Sequence, residues 1–375
     1  MDKIKIAIDA RTLDVKGGSR TYAKNFLYEF KNKKSAILFG PKKFENFNCH
    51  PIKSNQKNPL LKIFWEIFIL PHLINKYHVN IFHGLKGFVP PFTYCRTVVT
   101  INDLASFVYP ETNKFPDNFY WRYLIPFYIK RADHIIAISE ATKRDLVKFL
   151  GIDPKKITTI HLAYSKKFFF IKNREGCYKK VDNLFKQKNI NMKNLKQKKI
   201  ILSVNTIQPR KNIVGLIKAF ENIAGENEQV LLFLVGKWGW KYEEIKKTHA
   251  FSKYKNRIIF LGFVPDEILA DLYNISFLLA YPSFYEGFGL PILEAQACGC
   301  PVITSDISSM PEIAGKGAII INPYDINQIT KAIEELINNK RLRDKLIKEG
   351  HKNIKRFSWK KTASETMEIY KMLSQ

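Results

Sequence analysis

The chain has 375 residues, of which 46% are hydrophobic and 25% are charged, so it is long enough for two cores and too apolar for a disordered chain. Most of its formal net charge of +27 lies in the first half: residues 1–195 hold 35 Lys and Arg against 15 Asp and Glu (+20), and residues 196–375 hold 26 against 19 (+7). This surplus favours a phosphate-rich partner or an anionic membrane surface, and it equally fits a lysine-rich proteome in which surface lysines have no special role.

The first predicted element is a strand, Ile4–Asp9. No long apolar stretch follows the positive residues at the N-terminus, so we expect a strand there and not a signal peptide. Gly17 and Gly18 come next, before a predicted helix at Thr21–Phe30. Backbone N–H groups of a glycine loop at a helix start can contact a phosphate, so these two glycines are candidates for phosphate binding.

Two apolar segments follow, at Pro59–Leu70 and at Phe115–Tyr128. The first is apolar on nearly every helical face, and the second is rich in aromatic residues, which favour the boundary between membrane and water. Burial in a core, the commoner outcome, and shallow insertion into a membrane both fit this pattern. The longest apolar run, Ile63–Leu70, is far shorter than the roughly twenty residues of a membrane-spanning helix, so none is expected.

Strand-like and helix-like segments alternate in both halves, which predicts an α/β protein with two parallel, doubly wound sheets. Between them, residues 172–199 are rich in Lys and Asn and are interpreted as a linker region. The predicted domains are therefore residues 1–171 and 200–357. The predicted strands are Ile4–Asp9, Ala36–Phe39, Val79–His83, Val98–Ile101 and Ile135–Ile138, then Ile200–Val204, Val230–Val235, Ile258–Leu261, Ile275–Ala280 and Val302–Thr304.

Two adjacent cations, Arg210 and Lys211, follow the predicted strand Ile200–Val204 after a short turn that contains Pro209. This position directs them to the carboxyl edge of the second sheet, where Arg offers a planar fork to phosphate oxygens and Lys a point charge. No Asp-x-Asp pair, a common metal-binding motif, occurs in the sequence. Adjacent basic residues are frequent on the surface of so basic a chain, so by spacing alone these two would be interpreted as surface charges.

The stretch from Tyr281 to Asp306 predicts a polar site. After a buried strand, Gly287 and Gly289 allow a tight turn, and Pro291 sits where a helix would begin. A helix start at the carboxyl edge of a parallel sheet favours an anion or a ring of hydroxyls.

Glu286 and Glu294 flank this loop, eight positions apart. A carboxylate would repel a phosphate, but it can accept hydrogen bonds from two neighbouring sugar hydroxyls. The spacing therefore predicts a sugar-binding pair. Taken alone, each glutamate would be interpreted as a solvated charge.

Together these segments resemble the retaining nucleotide-sugar glycosyltransferases of family 4, whose signature is Glu-x7-Glu. The resemblance implies an α/β GT-B fold, in which two Rossmann-like domains face a central cleft. It covers most of the chain and is carried by the motifs Asp9–Arg11, Gly17–Tyr22, Val98–Leu104, Ile138–Leu146, Thr206–Asn212, Leu234–Gly236, Phe260–Val264 and Glu286–Glu294.

The resemblance also implies roles for individual residues. Glu286 would contact the sugar hydroxyls, Glu294 the ribose diol, and Arg210 and Lys211 the diphosphate. Phe263 and Val264 would hold the base through backbone contacts, although the sequence alone would place both in a core. The remaining donor-binding candidates are Gly287, Phe288, Gly289, Leu290, Gly17 and Gly18.

Asn102 departs from the family pattern, because many relatives carry a histidine before the Asp103-Leu104 pair. In those relatives the histidine contacts the sugar near its reacting carbon. Asn can hydrogen-bond there but cannot carry a proton near neutral pH, so a general base at this position is excluded. Asn205 replaces a common glycine, where it is expected to adopt an unusual backbone conformation.

The predicted protein is a metal-independent, retaining hexosyltransferase without a cofactor. Its predicted co-substrate is a nucleotide sugar, with GDP-mannose favoured over UDP-glucose, and its acceptor is a glycan or a lipid-linked molecule. Residues 358–375 are expected to form a helix that packs back on the first domain. The alternatives are a basic nucleic-acid-binding protein, whose lysines should line one groove together with aromatic residues, and a catalytically silent sugar-binding relative.

Five scattered cysteines, an odd number, favour reduced thiols in a cytoplasmic protein, with possible peripheral contact at the cytoplasmic face of a membrane. Cys298 and Cys300 have no histidine nearby at zinc-ligand spacing, so no metal site is predicted.

Overall fold

The chain forms two compact units in the computed structural model. The first combines Met1–Ala163 with Ser358–Gln375, and the second is Tyr164–Phe357. The residues that the structure describes are 4–14, 17–30, 36–40, 43–44, 47–51, 59–110, 120–192 and 194–375.

The first unit contains a parallel sheet of seven strands in the order β3-β2-β1-β4-β5-β6-β7. Ile6 in β1 lies opposite Ala36 in β2 and Ile81 in β4, which fixes the register at the centre of the sheet. The strands are β1 (Ile6–Asp9), β2 (Ala36–Gly40), β3 (Asn48–Pro51), β4 (Ile81–Gly84), β5 (Arg96–Ile101), β6 (His134–Ala137) and β7 (Ile157–Thr159).

The second unit contains a parallel sheet of six strands in the order β10-β9-β8-β11-β12-β13. All its neighbouring pairs are parallel, so the loops that follow the strands gather at one edge. Two doubly wound α/β domains were predicted, and this part of the prediction is confirmed. The strands are β8 (Lys199–Val204), β9 (Val230–Val235), β10 (Ile258–Gly262), β11 (Leu278–Tyr281), β12 (Val302–Ser305) and β13 (Ala318–Ile321).

Helices occupy most of the connections between the strands. In the first unit they are α1 (Gly18–Glu29), α2 (Pro59–Phe64), α3 (Leu70–Lys76), α4 (Ala105–Val108), α5 (Ile125–Arg131), α6 (Glu140–Leu150) and, at the end of the chain, α15 (Trp359–Leu373). In the second they are α7 (Glu175–Gln187), α8 (Ile213–Ala224), α9 (Glu243–Phe251), α10 (Asp266–Ile275), α11 (Leu290–Ala297), α12 (Met310–Ala314), α13 (Ile326–Asn338) and α14 (Lys340–Asn353).

Two helices of the first unit contain a π-helical turn directly before an X-Pro pair. Trp65–Ile69 joins α2 to α3 before Leu70-Pro71, and Tyr120–Leu124 leads into α5 before Ile125-Pro126. Proline has no N–H and its ring collides with the carbonyl four residues earlier. A wider turn accommodates that ring without ending the helix.

The predicted apolar segments are therefore helices with one buried and one exposed face. In the first segment Glu66 and Leu70 are buried while Phe64 and Phe68 are more than half exposed. In the part of the second segment that the structure describes, Tyr128 is buried and packs edge-on against Phe88 at 4.9 Å. Phe115–Phe119 lie outside the described residues.

Residues 172–192 and 194–199, which are part of the segment interpreted from composition as a linker region, belong to the second unit. They contain helix α7, whose Cys177, Val181, Leu184 and Phe185 are buried, and the start of β8. Those four side chains recur at helical spacing and form one apolar face. A count of Lys and Asn hides this periodicity.

The C-terminal helix α15 belongs to the first unit. Its Tyr370 shares a hydrogen bond of 2.5 Å with Nδ1 of His83 in β4, and Nε2 of His83 lies 2.8 Å from Oγ1 of Thr100 in β5. The Tyr22 hydroxyl lies 3.0 Å from the same Thr100 oxygen. Both ring nitrogens of His83 therefore have hydrogen-bond partners. Burial lowers the pKa of His83 to about 3, so the imidazole is neutral.

Candidate active site

The glycine loop lies where the sequence predicts it, between β11 and α11 at the carboxyl edge of the second sheet. Gly289 precedes the helix with φ 102°, a conformation that L side chains rarely adopt, and a Cβ there would come within 3.1 Å of Ile292. Leu290 and Pro291 then begin α11, and no side chain caps its N-terminus. Since no side chain caps it, the positive end of this helix remains available to a ligand.

Hydroxyl groups from β12 and the loop after it hold the glycine loop in place. Ser308 and Ser309 donate to the Glu286 carbonyl at 2.5 and 2.9 Å, and Ser309 lies 2.8 Å from the carbonyl of Phe288. The Ser308 oxygen also accepts from the Glu286 N–H at 3.1 Å. Because Ser309 is completely buried, these bonds fix the backbone around Glu286 in a dry environment.

Glu286, Arg210 and Lys211 form one buried charge cluster. Lys211 donates from Nζ to Oε1 of Glu286, and Nη1 of Arg210 lies 3.5 Å from Oε2. Burial alone would raise the pKa of Glu286, but the two adjacent cations outweigh it and lower this pKa to about 2. Glu286 is therefore ionised throughout the physiological range, and the cluster carries a net charge of about +1.

A tight turn brings the two cations to Glu286. Pro209–Lys211 forms a 3-10 turn after β8, and Asn212 follows it with φ 54°. The Asn212 side chain donates to the Pro323 carbonyl at 2.6 Å, which anchors the turn beside the loop after β13. Asn205, for which an unusual backbone conformation was expected, does not have a positive φ, whereas Asn212 does. The close approach at this point is made by Gly236, where a Cβ would lie 1.8 Å from the Asn205 carbonyl oxygen.

Glu294 is partly buried in α11 and has a different environment. Its Oε2 accepts a hydrogen bond of 3.0 Å from the Tyr273 hydroxyl in α10. Burial raises the pKa of Glu294 to about 7, and the Tyr273 bond only partly offsets this. Tyr281 interacts with both glutamates. Its hydroxyl forms a hydrogen bond with Glu286, and the charge of Glu294 contributes to raising the pKa of Tyr281. The structure thus gathers Glu286, Arg210, Lys211 and Glu294 around Tyr281.

The candidates for base contact follow β10. Val264 is buried, whereas 54% of Phe263 is exposed and its ring lies 5.6 Å from Nζ of Lys237. The interpretation from sequence alone, that both are core residues, is wrong for Phe263. Gly262, with φ 65°, turns the chain after the strand, so the next side chain points outward.

Three candidates lie in the first unit, after its strands. Gly17 caps α1 with φ 124°, and open space surrounds the Cβ position of both Gly17 and Gly18. Nδ2 of Asn102, after β5, donates to Oγ of Ser19 at 3.0 Å, while its Oδ1 is buried without a partner among the described residues. Asn102 is thus a neighbour of the helix start that follows Gly17 and Gly18, and its Oδ1 is an acceptor that remains for a ligand.

Sequence reasoning missed the side chains that hold the loop and the two glutamates, namely Tyr273, Tyr281, Ser308 and Ser309. Tyr273 stands next to the buried apolar residue Leu272 and two positions before Ile275, so its pattern is that of an ordinary core tyrosine. The run of serines after β12 resembles any polar loop. No local signal distinguishes Tyr273 or the two serines, because their partners are distant in the sequence. Tyr273 is 21 positions from Glu294, and the serines are more than 20 positions from Glu286.

Two further properties concern metals and membranes. Within residues 4–14, 17–30, 36–40, 43–44, 47–51, 59–110, 120–192 and 194–375, no group of three His, Cys, Asp or Glu side chains is arranged to hold a metal ion. None of the helices in those ranges combines the length and apolarity that crossing a membrane requires.

Comparisons with known proteins agree with this geometry. Residues 164–353 match the family model of glycosyl transferases group 1, and residues 36–165 match glycosyltransferase family 4. O-antigen chain mannosyltransferase B of Escherichia coli is 30% identical over 301 residues, which are 80% of this chain and 76% of that protein. The serotype-specific mannosyltransferase WbdA of E. coli is 29% identical over 75% of this chain, which spans about a third (34%) of that larger protein.

The solved structure of Anabaena HepE with UDP and glucose is 17% identical, with a TM-score of 0.76 over 98% of this chain and 100% of that one. Two parallel-sheet units of this kind have the GT-B fold. The family models and the mannosyltransferase relative show that the protein is an enzyme of the glycosyltransferase class. More particularly, the chain belongs to the family of group 1 glycosyl transferases.

Proposed function

We propose that the protein is a metal-independent, retaining mannosyltransferase that moves mannose from GDP-mannose to a glycan or lipid-linked acceptor. The observation that carries the proposal is the buried cluster of Arg210, Lys211 and Glu286 beside the N-terminus of α11. It combines fixed positive charge for a departing diphosphate with a permanently ionised carboxylate for sugar hydroxyls. Similarity to mannosyltransferases supports the choice of donor sugar.

In the proposed reaction, the bond between the sugar's anomeric carbon and the diphosphate oxygen breaks. The acceptor hydroxyl oxygen bonds to that carbon on the same face, and the departing diphosphate oxygen takes its proton. Arg210 and Lys211 stabilise the growing negative charge, and the helix N-terminus adds to this. Asn102 hydrogen-bonds the sugar without exchanging a proton, while Glu286 orients the hydroxyls.

Remaining donor contacts are assigned by the same logic. Glu294 would accept from the ribose diol, and backbone groups of Phe263 and Val264 would hold the base. The uncapped helix start at Gly289 and Leu290, with Gly287 and Phe288, would contact the diphosphate or sugar. Gly17 and Gly18 would supply further N–H groups.

On the acceptor side we propose a peripheral contact with an anionic membrane. The exposed faces of the two π-containing helices carry Phe64, Phe68, Tyr123 and Phe127. Arg131, also exposed, lies over the ring of Phe127 at 5.5 Å. Apolar side chains beside basic ones suit shallow insertion near negative lipid headgroups, where a lipid-linked acceptor would be found.

The proposal is tested by nucleotide-sugar binding and turnover. GDP-mannose should raise the melting temperature more than UDP-glucose or UDP-galactose at equal concentration, because only ligands of the folded state stabilise it. Mannose transfer to an isolated glycan or lipid-linked acceptor should then persist in excess EDTA. Activity that is lost in EDTA and restored by magnesium or manganese would contradict the metal-independent assignment, and binding without turnover would indicate a silent relative.

A further inference from the structure

Tyr273 is the side chain that makes a hydrogen bond to Glu294. It is fully buried on α10, and its hydroxyl lies 3.0 Å from Oε2 of Glu294. Burial raises the pKa of Tyr273 well above its usual range, so the phenol remains protonated. A protonated phenol beside a carboxylate donates, which leaves the other oxygen of Glu294 to accept from a ligand.

The other groups around Glu294 do not favour its ionised form. Asp266, at the start of α10, raises its pKa by like-charge repulsion. Tyr281 in β11 and Cys298 at the end of α11 also face it, and the pKa of each is raised in part by the charge of Glu294. Among these four described neighbours, Tyr273 is the one whose contact lowers the pKa of Glu294.

We propose that Tyr273 is a positioning residue for donor binding, which holds one oxygen of Glu294 so that the carboxylate faces the ribose diol in the correct orientation. This inference rests on the proposed function, which assigns Glu294 to the ribose. A carboxylate whose rotation is restrained in this way loses less conformational freedom when the nucleotide binds.

Donor binding then depends on pH. Since the pKa of Glu294 lies at about 7, the carboxylate gains charge as the pH rises from 6 to 8, and nucleotide affinity rises with it. Replacing Tyr273 by Phe removes the bond that favours the charged form. The pKa of Glu294 rises further, and the affinity profile moves to higher pH.

The test uses calorimetry of the whole protein with GDP and with 2′,3′-dideoxy-GDP between pH 6 and pH 9. Tyr273→Phe should bind GDP about five- to tenfold more weakly than wild type at pH 7. The loss should shrink at pH 9, where Glu294 is ionised in both proteins. Affinity for the dideoxy nucleotide, which has no diol, should be the same in both.

Two control variants separate positioning from general damage. Tyr254→Phe alters a partly buried tyrosine that precedes β10, at the amino ends of the strands and away from the loops that follow them. It should leave the affinity for both nucleotides and the pH profile of that affinity unchanged. In a Glu294→Gln background, which cannot ionise, Tyr273→Phe should add no pH-dependent loss.

Several results would overturn the inference. One is equal GDP affinity in wild type and Tyr273→Phe at every pH. Another is an equal loss for GDP and its dideoxy analogue, which would reveal a structural defect instead of a lost ribose contact. If wild type binds GDP no better than dideoxy-GDP, the assignment of Glu294 to the ribose fails, and the role of Tyr273 fails with it.

Discussion

Glu286 and Glu294 belong to one loop and the helix that follows it, yet their surroundings change their proton affinity in opposite directions. Two cations hold the pKa of Glu286 at about 2, whereas burial beside a neutral tyrosine raises the pKa of Glu294 to about 7. The first carboxylate is thus a fixed charge and the second a titratable one. This division suits one residue that must always accept from the sugar and another whose contact varies with pH.

Lys211 provides a direct test of charge stabilisation in the proposed reaction. Lys211→Ala removes a buried ammonium that would face the departing diphosphate, so the turnover rate should fall about a hundredfold or more. Lys218→Ala, which changes an exposed lysine of α8, is the matched control and should keep the wild-type rate. A turnover rate of Lys211→Ala within threefold of wild type would contradict the assignment of Lys211 to the departing diphosphate.

Glu294 should reduce the stability of the fold at neutral and higher pH. Its folded pKa of about 7 lies above its value of 4.5 in an unfolded chain, so stability falls as the pH rises through that window. Glu294→Gln has no charge to desolvate and should be more stable than wild type by roughly 2 kcal/mol at pH 8, and by less than about 1 kcal/mol at pH 5. Thermal melts at the two pH values measure the difference, which would be absent if Glu294 were solvated.

The same substitution should weaken nucleotide binding. A glutamine keeps the shape but accepts a weaker hydrogen bond than a carboxylate, so GDP affinity at pH 8 should fall several-fold while the fold stays intact. Calorimetry measures this, and unchanged affinity would place Glu294 away from the ribose. A variant that is more stable and binds less well would show that this glutamate is kept for function at a cost in stability.

At the residue scale, the sequence singles out the charged candidates for the site and misses the tyrosines and serines that surround them. Arg210, Lys211, Glu286 and Glu294 stand in motifs with recognisable spacing. Tyr273 has no such motif, because its role depends on α10 and α11 packing side by side. A buried hydroxyl acquires its partner only when distant parts of the chain meet.

Among elements, the two π-containing helices differ most from expectation. Each was predicted to be either buried or inserted into an interface, and each has one buried face and one exposed face. The proline that would end an ordinary helix is accommodated by the wide turn before it, which sequence patterns do not reveal.

Vesicle binding tests the exposed face of the first of these helices. Binding of wild type should rise with anionic lipid content and fall as salt screens the charges. Phe64 and Phe68 are 54% and 59% exposed, so Phe64→Ser with Phe68→Ser should reduce co-sedimentation several-fold without unfolding the protein. Phe251→Ser, at a 79% exposed site in the second unit, is the control for loss of any surface phenylalanine.

Equal, negligible binding of wild type to neutral and anionic vesicles at low salt would contradict the membrane contact. Binding that the double variant leaves unchanged would assign it to another surface.

Strand prediction succeeds at the centre of each sheet and misses three of the four edge strands among the described residues. The missed strands are β3 and β7, at the two edges of the first sheet, and β13, at one edge of the second. Edge strands are short and partly exposed, and β7 and β13 each contain one buried residue. Their sequences therefore lack the continuous apolar run that marks a strand buried on both faces.

For the whole molecule, the two units should respond oppositely to acid. The folded pKa of His83, about 3, lies below the value of 6.5 in an unfolded chain, so its contribution to the stability of the first unit is present above pH 6.5 and is lost as the pH falls. At pH 5 this loss is about 2 kcal/mol. Glu294 has the opposite effect in the second unit.

Hydrogen exchange at pH 7 and pH 5, corrected for intrinsic rates, measures each unit separately. Amides of β4 in the first unit should lose protection at pH 5, while those of β9 in the second should not. Tyr370→Phe removes the hydroxyl partner of Nδ1 of His83. It should lower the free energy of opening measured for the β4 amides by about 1–3 kcal/mol at pH 7, again without effect on β9. Equal changes in the protection of β4 and β9 would contradict the prediction that the two units respond differently to acid.

Helix α15 also determines the order in which the molecule can fold during synthesis. The second unit is one continuous stretch, Tyr164–Phe357, but the first needs Ser358–Gln375, which the ribosome makes only after the entire second unit. Until then Tyr22 lacks the ring of Trp359, Phe30 lacks that of Tyr370, and His83 lacks its hydroxyl partner. The first unit can therefore be completed only after the whole second unit has been synthesised, although its other strands and helices are made first.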